Sequence, residues 1–339
     1  METASTTIDW HEEDLNDYVI YSFGIYKDTL SVINPASGEI IHTINNFKSI
    51  QSVVTNKDGT RLYVATATAH SGSNPGFIYE VNTTTWDSRV IDKNASHLLT
   101  NQKGDLFFLR KLRTTPKRIF GSIDPDNGSV THIDAINIAD GSWFEDSLIG
   151  IDSDDPFLYA LDENDKLYRR DYKNKETEYL FEDFDFESTT HFVLSNDGQK
   201  LYFPGGPILD LESEKIVGYL PMWQLSWIAV REDNKEVYIT DPGSDRDETV
   251  PSGKVYIYDF QTKDISGHID VKVKGIRNRT ERIYLTAKER FAIVSDLDRR
   301  IFIIDLKKRE VIKHYTFEDD SGSRTQNVQK MYLAPSPQK

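Results

Sequence analysis

Five side chains of this sequence are the best equipped for chemistry on a small ligand: His97, His191, Trp227, Arg282 and Lys330. An imidazole titrates near neutrality and passes a proton in either direction. A guanidinium grips a carboxylate or phosphate through two parallel hydrogen bonds, and an indole offers a broad face to a flat group. Glu281 adjoins Arg282 and adds a carboxylate that can orient a histidine. Glu281 or Glu145 can also complete a His/carboxylate set for a divalent metal, the one cofactor these residue types admit, although the sequence requires none. All of these residues are far apart in the chain. Only a fold that returns repeatedly to the same place can unite them.

The chain does return. The stretch "LSNDGQKLYF" (194–203) reads as two strands joined by a tight turn, and "VTNKDGTRLYV" (54–64) and "LTNQKGDLFFL" (99–109) repeat its shape. The turn glycines Gly59, Gly104 and Gly198 are spaced by about 45 residues and then by about twice that, a period typical of stacked β-units. Each unit carries four strand-like runs, and the last two are joined by polar turns such as "NPASGE", "DPDNGS", "DFQTKD" and "DLKKRE". Seven units follow: 50–92, 95–136, 146–182, 189–220, 225–272 and 280–317, with a first that starts at 17 and lacks its opening strand. The missing strand stands at the other end of the chain, in "NVQKMYLAPS" (327–336). The sequence therefore predicts an all-β, seven-bladed β-propeller with four antiparallel strands per blade. The C-terminal strand completes blade 1 and closes the ring. A single domain over 17–336 follows a tail of residues 1–16.

Aligned on their turns, blades 1 to 7 begin their inner strands with Lys330, Ser52, His97, Leu148, His191, Trp227 and Arg282. The preceding position holds Gln329, Gln51, Ser96, Ser147, Thr190, Ser226 and Glu281. The repeat, in "TNKDGTRLYVATA" (55–67), "SNDGQKLYFPGG" (195–206), "TLSVINPASGEII" (29–41) and "KVYIYDFQTKDI" (254–265), resembles that of the YVTN-type seven-bladed propellers. The resemblance spans nearly the whole chain and also touches lactonase-type propellers, streptogramin-lyase-like propellers and the propeller subunits of amine dehydrogenases. It implies that the first residues of the inner strands rim a central channel at the face where ligands bind. It also implies that rim carboxylates hold divalent metals in the lactonase-type relatives, although no such ligand set matches here residue by residue.

A formal charge of −15 argues against nucleic-acid partners. The longest apolar runs are strand-length, so no membrane insertion is expected. The absence of cysteine removes disulfides, thiolate metal sites and cysteine nucleophiles. G-x-S-x-G, H-E-x-x-H, a phosphate-binding glycine loop and a c-type haem attachment motif are all missing. The amino end has no leader pattern, so the protein is expected to be cytoplasmic, or exported with a leader already removed.

Three long loops are expected on the channel-mouth face, at 66–76, 110–119 and 240–254. The second is basic and brings Arg110 towards the site, or else is a solvated arm. The third is acidic but lacks the spacing of a calcium loop. "DSDDP" (152–156) reads as a turn, and "FEDFDFES" (181–188) as a cover for the outer rim or a docking strip.

The expected function is a binding propeller for a small anionic or flat ligand, or for a protein partner. Arg282 and Lys330 supply charge, Trp227 stacks, His97 and His191 form hydrogen bonds, and Ser52, Thr190 and Arg110 line the approach. An alternative is a lactonase- or lyase-like enzyme at the same mouth, with His191 or His97 as acid/base and Glu281 as its orienter. A third is a non-catalytic platform in a redox complex.

Overall fold

The computed structural model describes residues 12–24, 28–45, 47, 49–66, 76–93, 97–101, 103–111, 117–138, 149–152, 154–182, 184, 186, 191–221, 226–241, 253–272, 280–296, 300–316 and 329–337. They form seven four-stranded antiparallel sheets, each ordered from the ring axis outwards. The inner strands of blades 1 to 7 are Gln329–Pro335, Ile50–Thr55, His97–Thr100, Ile149–Ile151, Val193–Leu194, Ile228–Val230 and Thr280–Leu285. The last of the chain's strands, Gln329–Pro335, pairs along its whole length with Tyr18–Gly24, so blade 1 is built from both ends of the chain as the sequence predicts. No helix among the described residues is long and apolar enough to cross a membrane.

The turn between the third and fourth strands shows why the repeat folds locally. In the seven blades it opens with Asn34, Asn82, Asp124, Asp171, Asp210, Asp259 or Asp305. Each side chain accepts a backbone N–H two or three residues on, at 2.7–3.0 Å. Four residues after each of these lies a residue in the left-handed region: Gly38, Trp86, Gly128, Lys175, Glu214, Lys263 or Arg309. Only two of these are glycine, so the asparagine or aspartate carries the signal.

Between the first two strands, Gly59 (φ +70°) shows the opposite case, because a Cβ there would meet the Pro335 carbonyl at 2.3 Å. That turn rests directly on the closing strand.

Burial follows the ring. Inner and second strands are covered on both faces by neighbouring blades, whereas outermost strands such as Glu176–Tyr179 lie exposed. Apolar clusters fill the wedges between blades. One joins Val255 and Ile257 of blade 6 to Ala292, Val294, Phe302 and Ile304 of blade 7. Phe186 is buried in the core beside blades 4 and 5, with Phe184 and Phe203 at 4.7 and 5.1 Å. The acidic phenylalanine run therefore covers the core in this part instead of presenting a docking strip. Asp152 accepts the amides of Asp154 and Asp155, which makes "DSDDP" the expected turn.

Candidate functional site

Blade 7 supplies the centre of the site through an irregularity. Thr280 pairs with Asp296, but pairing resumes only at Ile283 with Val294, so Glu281 and Arg282 together face Ser295. Such a β-bulge breaks the alternation that would send neighbouring side chains to opposite faces. Both residues are buried, at 8% and 5% exposure, and the Arg282 amide donates to the Ser295 hydroxyl at 3.3 Å. A similar shift at Gln51 interrupts the start of blade 2's inner strand.

Two threonines lock the bulge to blade 6. The Thr240 hydroxyl accepts the Trp227 amide at 2.8 Å and donates to the Glu281 carbonyl at 2.9 Å. The Thr280 hydroxyl accepts the Asp241 amide at 2.9 Å. Tyr284 then donates its hydroxyl to the Met331 carbonyl at 2.7 Å, fixing blade 7 against blade 1.

Around this frame the side chains of three blades stack. The Arg282 guanidinium lies 4.2 Å from the centre of the Trp227 indole. His191 stacks with the same indole at 4.4 Å and 21°. Trp227 is thus engaged by a neighbour from each adjacent blade. From the other side comes Lys330, buried, whose Nζ donates to the Gln51 carbonyl at 3.2 Å.

Glu281 lies in the field of these groups. Burial pushes its carboxyl above the ordinary range, Arg282 and Lys330 pull it down, and Asp296 pushes it up again. Its Oε2 has no hydrogen-bond partner among the described residues. Asp296 is itself held by Arg300 in a buried ion pair of 2.6 Å. The sequence reading missed this pair; its signal was two charges, Asp296 and Arg300, at the ends of otherwise apolar strands.

Of the other expected residues, His97 is buried at the start of blade 3's inner strand, where the aligned turns place it. Ser52 uses its hydroxyl to accept the Leu98 amide at 2.8 Å, a link between blades 2 and 3. Arg110 pairs with Asp92 of blade 2's outer strand. The basic loop is shorter than expected, since Leu106–Lys111 and Lys117–Ile123 are strands and Arg118 is buried. Thr190, Glu145, Leu148 and the segments 67–75, 112–116 and 242–252 lie outside the described residues. Among the described residues no group of three His, Asp or Glu side chains is placed to hold a metal.

No protein-family model matches the chain, so the YVTN-type resemblance stays at the level of the repeat, and no curated protein matches it either. Solved structures do. A dihydro-heme d1 dehydrogenase, NirN, in complex with DHE superposes with a TM-score of 0.58 at 14% identity, over 97% of this chain and 78% of that one. A protein of unknown function from Desulfotomaculum acetoxidans gives 0.60 at 12% identity, over 94% and 99%. Apo AztD from Citrobacter koseri gives 0.57 at 13%, over 93% and 98%. At such identities the likeness is one of fold.

Proposed function

We propose that this propeller binds a small oxyanion, a carboxylate or phosphate-type group, at the mouth of its channel. One observation carries the reading: Arg282 and Lys330, both buried and from adjacent blades, flank a carboxyl whose own burial already disfavours its charge. Two buried cations acting on one point favour negative charge there. A carboxylate or phosphate-type group suits them, with Arg282 stacked on the Trp227 indole that His191 also stacks against. That NirN, a neighbour in fold, is recorded with DHE bound is in keeping with a ligand-holding propeller.

The test is a thermal-shift screen against sulfate, phosphate, small carboxylates and lactones, with divalent metals and a chelator in parallel. An anion at about 100 times its dissociation constant adds about 2.7 kcal/mol to stability, a shift readily seen. Arg282→Met should abolish it. A flat result across the anions sinks the reading and turns the search to protein partners.

A second reading, hydrolysis or elimination at the same mouth, is favoured by Glu281 alone. A carboxyl whose proton burial holds more tightly than usual can act as a general acid. Turnover of a lactone that disappears in Glu281→Gln while binding persists would select it.

A further inference from the structure

Resting on the anion-binding reading above, we infer that an anion entering this site brings a proton with it, taken up by Glu281 from solvent. The geometry sets up the exchange. Glu281 is held at the bulge through its backbone carbonyl, which accepts the Thr240 hydroxyl at 2.9 Å, and its side chain is buried there at 8% exposure. The charged groups acting on it are Arg282 on its own strand, Lys330 from blade 1, and Asp296 from the next strand of blade 7. Blade 6 presents Trp227 and Thr240, neither of which titrates, while the charge of Asp241 is felt by Tyr256. His191 of blade 5 stacks against Trp227 and is the other titratable group nearby.

Among the described residues, Arg282 and Lys330 are the groups that favour an ionised Glu281 against its burial. An oxyanion bound to those two cations draws on the same field and adds a second negative charge close by. Two such charges in a dry site do not both persist, and the carboxylate takes a proton. Once protonated it becomes a hydrogen-bond donor, and Oε2, without a partner among the described residues, can donate to the anion. Glu281 thereby determines specificity: the site favours a ligand that accepts a hydrogen bond over one that brings its own acidic proton.

The sign follows from linkage. The complex holds more protons than the free protein and anion, so affinity rises as pH falls. The limit is tenfold per pH unit, between the values at which Glu281 titrates with and without ligand, and affinity levels off below both. The probe is sulfate, which stays a dianion throughout. Calorimetric titration in two buffers of different ionisation enthalpy counts the protons directly. Wild type should take up protons on binding sulfate, up to one per anion, at pH values between those at which Glu281 titrates with and without ligand. Glu281→Gln, a neutral isostere, should bind with flat pH dependence and no uptake, and Glu281→Asp should restore the uptake.

Sulfate binding by wild type without proton uptake overturns this inference and leaves anion binding intact. Uptake that survives in Glu281→Gln also overturns it and assigns the proton to His191. No sulfate binding at any pH, with Arg282→Met indistinguishable from wild type, removes the anion site itself.

Discussion

At the scale of single residues, the site depends on a threonine that touches no ligand. Thr240 is fully buried and satisfies both the Trp227 amide and the Glu281 carbonyl, one on each side of the blade 6–blade 7 wedge. Valine in its place has the same shape without the hydroxyl, so both backbone groups would be left buried and unmet. Each such group costs about 1–3 kcal/mol. Thr240→Val should therefore lose about 2 kcal/mol or more in urea denaturation, and Thr240→Ser should recover most of it. Because the bulge would loosen, sulfate binding should weaken in the valine variant even though Arg282 and Lys330 remain. Unchanged affinity in a destabilised Thr240→Val would show that the bulge holds its shape without blade 6.

At the scale of elements, the ring is closed twice. The C-terminal strand completes blade 1, and the segment ahead of Tyr18 fastens blade 7 to it. The Glu13 carboxylate accepts the Thr286 hydroxyl at 2.5 Å, the Lys288 amide at 2.9 Å, the Arg290 amide at 3.2 Å and the Tyr18 hydroxyl. Burial and that carboxylate push the Tyr18 hydroxyl well above its ordinary range. Glu13→Ala should cost about 1–3 kcal/mol, since it strips partners from several groups of the blade 7 turn. Hydrogen exchange should rise first at 286–290, and equal protection there in the variant would show that the segment merely lies on the ring.

The two closures differ in how far the sequence reveals them. The closing strand is legible because its run of apolar residues matches an opening strand missing from blade 1. The blades are legible because asparagine, aspartate and glycine mark turns that have one local solution. Glu13 carries no pattern: it is one acid among several in a polar stretch, and its partners in blade 7 lie more than 270 residues away. The site falls between these cases. Aligning the turns picked out Arg282, Trp227, His191, Lys330 and Glu281 as neighbours, but it assumed regular alternation. The bulge that turns Glu281 inward beside Arg282, and the stacking that occupies Trp227, depend on packing between blades that no local signal encodes.

At the scale of the whole molecule, the pH dependence of stability is set by two opposed groups of carboxyls. Asp58, Asp171 and Asp210 lie below the ordinary carboxylate range, chiefly through bonds from Thr60, Asn174 and Ser213 within their turns. A depressed group contributes stability that is present above its unfolded value and lost as pH falls through its folded one. These aspartates therefore contribute to the acid limb of unfolding. Glu281 works the other way. Its folded value is raised, so the fold prefers it protonated, and the strain of its charge is fullest at neutral pH and relieved as pH drops. Glu289 is raised as well, by burial first, so the total curve cannot isolate Glu281; a single substitution can. Without ligand, Glu281→Gln should melt above wild type at neutral pH, with the gap narrowing as pH falls towards the ordinary carboxylate range. Saturating sulfate should widen that gap at neutral pH, because the wild-type carboxyl must take a proton from solvent to bind the anion and the glutamine need not. If Glu281→Gln instead melts below wild type at neutral pH, the attraction of Arg282 and Lys330 outweighs burial. The carboxylate then belongs to the folded state as a charge, and the proton coupling loses its physical basis.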